Sequence, residues 1–350
     1  MVTNKTKICF SSHMIVLVLI FISKILVNAS ENTGGSDIPV VDLSKSKYEV
    51  AQNIRNVAKD FGFFYLINHN ISQVLLSKVF NQSMSFFNLS ELQKLSVKQR
   101  DGYFGYTPFE EEVLDKERQY NRGDTKEGYY VRGPFANKER RPLQWETLWI
   151  DEKIIPEFKA TTLEYYYRLK QLSLRLTSLI ALSLNLEENF FDNKFQNPLD
   201  VLRLLHYTSE PSNISSGIFG AGQHTDYGMF TILAVLDHVS GLQIYPPRLN
   251  RWIDVPRLEN AFIVNLGDQL QRWTNDYYHS TLHRVVIANT SVQRYSVAFF
   301  WEPDFECLVS CVPTICNEQE LPKYEPVMHG EHLLFKFSQG HTQLDLKTEL

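Results

Sequence analysis

From residue 200 onward the chain breaks into short apolar and β-branched runs, at 201–207, 229–236, 242–245, 251–255, 261–266, 280–287 and 294–301. Turn residues such as Ser240-Gly241, Pro246-Pro247 and Gly267-Asp268 separate several of them. Runs this short and this regular predict an antiparallel sandwich or barrel. The first half reads differently. Ile38 to Leu43 is a short strand pattern, and Val50, Ile54, Val57, Ala58 and Phe61 then fall on one helical face. Gly62 stands where a helix stops, Phe63–Ile67 is a strand, and Ser72 can cap a second helix through Phe87. Residues 101–150 have no clean period and several Gly and Pro, which predicts loop-rich structure. Phe158, Thr162, Tyr165, Leu169, Leu172, Leu176, Leu179 and Leu182 step by threes and fours, the packing stripe of one long helix over 157–185. The expected class is α+β with a mainly β core, the helices covering one outer face of the sheets.

The length of 350 residues and a 43% hydrophobic content suit one large or two globular domains, not a disordered or fibrous chain. Lys5 and Lys7 precede an apolar run from Met14 to Ile22, and Val27-Asn28-Ala29 is a small-residue pattern for cleavage. Nine residues of helix span about 13 Å, short of the hydrocarbon core. Residues 1–29 therefore read as a secretory signal peptide, with an uncleaved membrane anchor over 14–29 as the alternative. Its only charged residues are those two lysines and Lys24, so the net charge of −5 becomes −8 once it is removed. So acidic a chain argues against nucleic acid, and against membranes unless the leader stays attached. Sequons begin at Asn4, Asn28, Asn70, Asn81, Asn88, Asn213 and Asn289, consistent with a glycoprotein or with an Asn-rich composition. In an oxidising lumen two of Cys307, Cys311 and Cys316 can pair, leaving the third over.

The chemistry concentrates in the second half. His224-Thr225-Asp226 places an imidazole and a carboxylate two residues apart, on one face if the chain is extended. Alone this is weak. His283 lies in a second strand pattern, and if the two strands face each other, two histidines and a carboxylate form a facial triad. That set suits Fe(II) and leaves adjacent positions open for a chelating co-substrate and dioxygen. Arg294 and Ser296 share a face of the next strand, and a guanidinium with a hydroxyl suits a carboxylate. An outward Arg beside a bland Ser is the plainer alternative.

These residues resemble the iron(II)- and 2-oxoglutarate-dependent dioxygenases, in the isopenicillin N synthase-like branch. The resemblance runs from about Ile38 to Phe337. It rests on Ile38–Leu43, on Phe61-Gly62-Phe63-Phe64 through Asn68-His69-Asn70-Ile71 (Asn70 replacing the usual Gly), and on Asp124–Tyr129. It rests also on His224-Thr225-Asp226, His283-Arg284-Val285, Arg294-Tyr295-Ser296 and Gly330–Leu334. It implies a double-stranded β-helix, or jelly roll, over 200–303, an N-terminal region over 38–150 and a C-terminal extension over 304–350. It implies that His224, Asp226 and His283 hold iron, and that Arg294 and Ser296 grip the distal carboxylate of 2-oxoglutarate. Tyr207 matches a tyrosine that hydrogen-bonds the same co-substrate. Leu205-His206 departs from the family's Asn-Tyr, which leaves His206 without an assigned role. The implied reaction couples oxidative decarboxylation of 2-oxoglutarate, with dioxygen, to hydroxylation, desaturation or ring closure of a small molecule.

Three rivals remain at this level. Isopenicillin N synthase and the ethylene-forming oxidases resemble the chain too and need no 2-oxoglutarate. A catalytically silent binding protein can keep the same barrel, although the complete triad opposes it. A nucleic-acid demethylase on this barrel is opposed by the charge and the leader. His69, His238, His279, His329, His332 and His341 lack a partner at ligand spacing and read as structural or surface, with His279 placed to line the entrance. Tyr103, Tyr106 and Tyr129 read as packing or as part of a substrate mouth. Substrate identity and oligomeric state are not legible.

Overall fold

Two strands open the fold: β1 (Val40–Asp42) and β2 (Phe63–Ile67) pair in parallel, joined by helix α1 (Lys47–Asp60). Ser46 caps α1 by accepting from the Glu49 N–H, while the Glu49 carboxylate accepts from the Ser46 N–H. The chain leaves α1 through Gly62 at φ 62°, where a Cβ would run into the His279 carbonyl. Ser72 caps α2 (Gln73–Phe87) and Ser90 caps α3 (Glu91–Leu95). These elements belong to a computed structural model that describes residues 38–100, 103–120, 122–134, 143–236, 240–288 and 292–340. The leader, Asn4, Asn28, Asn289, His238 and His341 lie outside the described residues.

Four short strands follow: β3 (Tyr103–Phe104), β4 (Tyr106–Thr107), β5 (Lys126–Val131) and β6 (Glu146–Thr147). The loop-rich expectation for 101–150 thus fails at β5, every residue of which is buried. The physical reason is its charges, because Lys126 and Glu127 are both paired inside the protein instead of facing water. The long helix is α4 (Phe158–Ser183), with the predicted stripe buried from Phe158 to Leu179 and Leu182 half-buried.

The strand-rich half supplies β7 (Val201–Tyr207), β8 (Ala221–His224), β9 (Phe230–Val235), β10 (Leu242–Ile244), β11 (Ile253–Asp254) and β12 (Phe262–Leu266). After α5 (Asp268–Trp273) come β13 (His283–Val285), β14 (Arg294–Trp301), β15 (Leu308–Val309), β16 (Val327–Met328) and α6 (His329–Gly340). An eight-stranded sheet runs β1-β2-β12-β9-β14-β7-β5-β4, and a four-stranded sheet runs β11-β10-β13-β8. This is the expected jelly roll. Within it, β8 has no counterpart among the sequence runs.

Alternation along β14 separates the two faces of the large sheet. Tyr295, Val297, Phe299 and Trp301 join the core that holds α1, α2 and α4. Trp301 is fully buried, stacks on Phe195 at 4.8 Å and donates its indole N–H to the Thr177 hydroxyl of α4 at 2.9 Å. Truncating it to alanine would cost about 3–5 kcal/mol. Arg294, Ala298 and Phe300 point the other way, into the cavity between the sheets. Beyond β15, Cys311 and Cys316 form a disulfide with Cα atoms 6.0 Å apart, while Cys307 is free and buried. No described helix is long and apolar enough to cross a membrane.

Candidate metal centre

His283 of β13 pairs directly with His224 of β8, and Val285 pairs with Ala221. Three residues of β8 therefore span two of β13, the signature of a bulge. The bulge matters because Ala221 and His224 would otherwise face opposite sides. With it, both reach the cavity wall beside His283 and Val285. Asp226 lies just past the end of β8, so strand alternation is not what aims it. Its backbone carbonyl accepts from the Asp268 N–H at 2.8 Å, and its Oδ2 accepts from Asn265 Nδ2 at 2.6 Å and from the Thr231 hydroxyl.

The three predicted ligands converge: one ligand atom from each lies within 4.8 Å of the others. Asp226 Oδ1 is 3.8 Å from His224 Nε2 and 3.6 Å from His283 Nε2. His224 Nδ1 donates to the Gly222 carbonyl at 2.8 Å and His283 Nδ1 to that of Thr281 at 3.0 Å. Those bonds fix the tautomer and leave each Nε2 lone pair facing Asp226. Burial and the neighbouring His283 hold the His224 pKa down to about 3. For Asp226, burial alone would raise the carboxyl, but His283, His224 and the bonds from Asn265 and Thr231 bring it below its ordinary value. A neutral imidazole and an ionised carboxylate are the forms that bind a metal cation.

Arg294 stands opposite Tyr207 across β14 and β7, with its guanidinium 4.5 Å from the Tyr207 ring centroid. Nη1 is 3.4 Å from the Ser296 hydroxyl. The arginine is 2% exposed, its Nε has no hydrogen-bond partner, and no carboxylate pairs with it among the described residues. A buried guanidinium in that state is costly unless an anion joins it. The site therefore suits both a cation at the triad and a carboxylate at Arg294.

A cavity of about 150 Å³ contains the triad, Arg294 and Tyr207. His279 is not on its wall; it packs beside Gly62. Tyr106 and Tyr129 are core residues, and Tyr130 lines the cavity instead. His206 faces the opposite side of β7, where Nδ1 lies 2.7 Å from Glu127 Oε1 and the ring stacks on Tyr295. His69 accepts from the Ile71 N–H, and His329 is fully buried beside Glu302 at 3.1 Å. Sequence reasoning misses Asn265 and Thr231, although Asn265 stands just ahead of the noted Gly267-Asp268 turn. It misses Glu112 and Arg203, which line the cavity, and it gives Lys126 no role.

Comparison with known proteins agrees with this geometry. Residues 198–303 match the 2OG-Fe(II) oxygenase superfamily, and residues 38–152 match the family described as non-haem dioxygenase in morphine synthesis N-terminal. A 2-oxoglutarate-Fe(II) type oxidoreductase, hxnY of Emericella nidulans, is 31% identical over 87% of this chain and 90% of its own. A 1-aminocyclopropane-1-carboxylate oxidase of Dictyostelium discoideum is also 31% identical, over 89% of this chain and 93% of its own. The solved structure of a full-length Neurospora crassa protein in complex with alpha-KG and thymine superposes with a TM-score of 0.76 at 31% identity, covering 87% of this chain and 98% of that one. The chain belongs to the 2OG-Fe(II) oxygenase superfamily and is an Fe(II)- and 2-oxoglutarate-dependent dioxygenase.

Proposed function

We propose that His224, Asp226 and His283 hold the iron, and that Arg294, with Ser296 and Tyr207, takes the distal carboxylate of 2-oxoglutarate. The observation that carries the second assignment is the buried Arg294, which lines the triad's cavity and lacks a carboxylate partner among the described residues. Bound iron, with dioxygen, supplies the oxidising chemistry that turns 2-oxoglutarate into succinate and carbon dioxide while a substrate C–H bond is oxidised. The chain's own residues do the rest. Gly222 and Thr281 orient the imidazoles, Asn265 and Thr231 hold Asp226, and the apolar walls keep water out.

The test is to titrate 2-oxoglutarate into anaerobic Fe(II) protein and follow the metal-to-ligand charge-transfer absorption. A saturable band is expected. Its absence, with oxygen consumption independent of 2-oxoglutarate, would favour an oxidase that uses Arg294 for its substrate's own carboxylate.

We also infer that the protein enters the secretory pathway and is cleaved near Ser30. Support comes from Lys5, Lys7, the Met14–Ile22 run and Ala29. The Cys311–Cys316 bridge and the exposed sequon residues Asn70, Asn81, Asn88 and Asn213 agree with an oxidising, glycosylating compartment. N-terminal sequencing and glycosidase mass shifts of natively expressed protein test this. An intact Met1 on an unglycosylated cytosolic product refutes it, and an intact leader on membrane-bound protein supports the anchor.

A further inference from the structure

We propose that the substrate is an uncharged, largely apolar molecule, and that Glu112 is the residue that sets this preference. The inference rests on Arg294 being the seat of 2-oxoglutarate. Away from Arg294, the cavity wall is formed by Phe104, Leu143, Leu199, Leu333 and Phe337, broken by a charged group on β5 and β7.

That group is internally compensated. Lys126 Nζ lies 3.0 Å from Glu112 Oε2 and bonds Asp124 Oδ2. Arg203 Nη2 lies 2.8 Å from the same Glu112 oxygen, and the Tyr130 hydroxyl donates to Glu112 Oε1 at 3.0 Å. Burial opposes the charges on Lys126 and Arg203, but the carboxylates outweigh it and both remain cationic. Two cations thus meet two acids; burial pushes Asp124 toward its neutral form, and the adjacent Lys126 ammonium and the Gly222 N–H that donates to it at 2.8 Å oppose that shift. Glu302, the remaining lining acid outside the triad, is moved by burial toward its neutral form, against the pull of His329.

Among the described lining residues, Arg294 is then the only cation without a carboxylate partner. The cavity has one seat for an anion. With 2-oxoglutarate there, a second carboxylate would find only apolar walls and charges already paired, and an uncompensated buried anion is strongly disfavoured. A neutral molecule meets no such penalty.

The test uses 3-phenylpropan-1-ol, 3-phenylpropanoate and 3-phenylpropylammonium as matched probes. Each is titrated by calorimetry into anaerobic protein loaded with Fe(II) and 2-oxoglutarate, while the charge-transfer band reports an intact site. Wild type should favour the alcohol over the acid by at least about tenfold. Glu112→Gln leaves Lys126 with Asp124 and takes from Arg203 the carboxylate beside it, and should raise the acid's affinity relative to the alcohol by at least about tenfold. Lys126→Met shifts the balance the other way and should favour the ammonium probe. Acid binding as tight as alcohol binding in wild type overturns the proposal. So do probe ratios unchanged in both variants while the band is retained. Loss of the band from wild type would instead count against the co-substrate assignment, which separates the two failures.

Discussion

His283 stands directly across the β8–β13 ladder from His224, and their ring centroids are 4.2 Å apart. Both imidazoles are aimed at one Asp226 oxygen, and burial together with the neighbouring His283 keeps His224 in its neutral form. The arrangement is therefore built for a cation other than the proton, and it is assembled from segments 57 residues apart in the chain.

Removing any one ligand should empty the centre. His224→Ala, Asp226→Ala and His283→Ala should each lose bound iron and succinate release, because two protein ligands cannot hold the metal in place. His279→Ala serves as the control and should retain iron. Elemental analysis after purification checks this, and an iron-free His279→Ala alongside an iron-loaded His283→Ala would reverse the assignment.

Asn265→Ala should weaken iron binding without removing a ligand. It frees Asp226 Oδ2 from a 2.6 Å bond and lets the carboxylate rotate. Loss of an outer partner of this kind costs about 10- to 100-fold in metal affinity. Fe(II) titration of metal-free protein measures it; an unchanged affinity would mean that Thr231 alone holds the carboxylate.

Arg294→Gln should raise the 2-oxoglutarate requirement strongly. A lost charge-assisted contact is worth on the order of 2–3 kcal/mol, or roughly 30- to 150-fold in affinity. Ser296→Ala should cost less, about 1.5 kcal/mol. Titrating the charge-transfer band in both variants gives the order directly. A larger loss for Ser296→Ala would contradict the geometry.

Acid should destabilise the docking of α6 through His332. Burial, with Lys336 and Arg272, pulls its pKa from 6.5 down to about 4. Between those values the unfolded chain takes up a proton that the folded chain refuses. The stability contributed by neutral His332 is complete above pH 6.5 and is lost as pH falls toward 4. Denaturation midpoints of His332→Gln should therefore fall less steeply than those of wild type across this window. Equal slopes would exclude the histidine as the cause.

The candidate metal ligands are legible because His-x-Asp and a distant His in a strand pattern are rare enough in combination to stand out. Arg294 and Ser296 were legible because alternation in β14 places them on one face. Extension predicts a face shared by His224 and Asp226, whereas hydrogen bonds from Asn265, Thr231 and Asp268 are what hold Asp226 in place. The bulge in β8 and the strand character of Lys126–Val131 were not legible. Local pattern reads a charge as solvent-facing, and only the fold shows that Lys126 meets Asp124 and Glu112.

His206 shows how a departure from a family pattern is accommodated. Glu127 holds His206 Nδ1 at 2.7 Å, Lys94 at 2.6 Å and the Tyr106 hydroxyl at 2.6 Å, all buried on the helix side of the sheet. Three groups depend on one carboxylate, so exchanging Glu127 alone would strand all three, and exchanging any of the three alters what that buried carboxylate must accept. Heredity should therefore treat positions 94, 106, 127 and 206 as a linked set. Homologues that carry tyrosine at position 206 should differ at the others too, and a single His206→Tyr exchange should be tolerated poorly until position 94 or 127 changes with it.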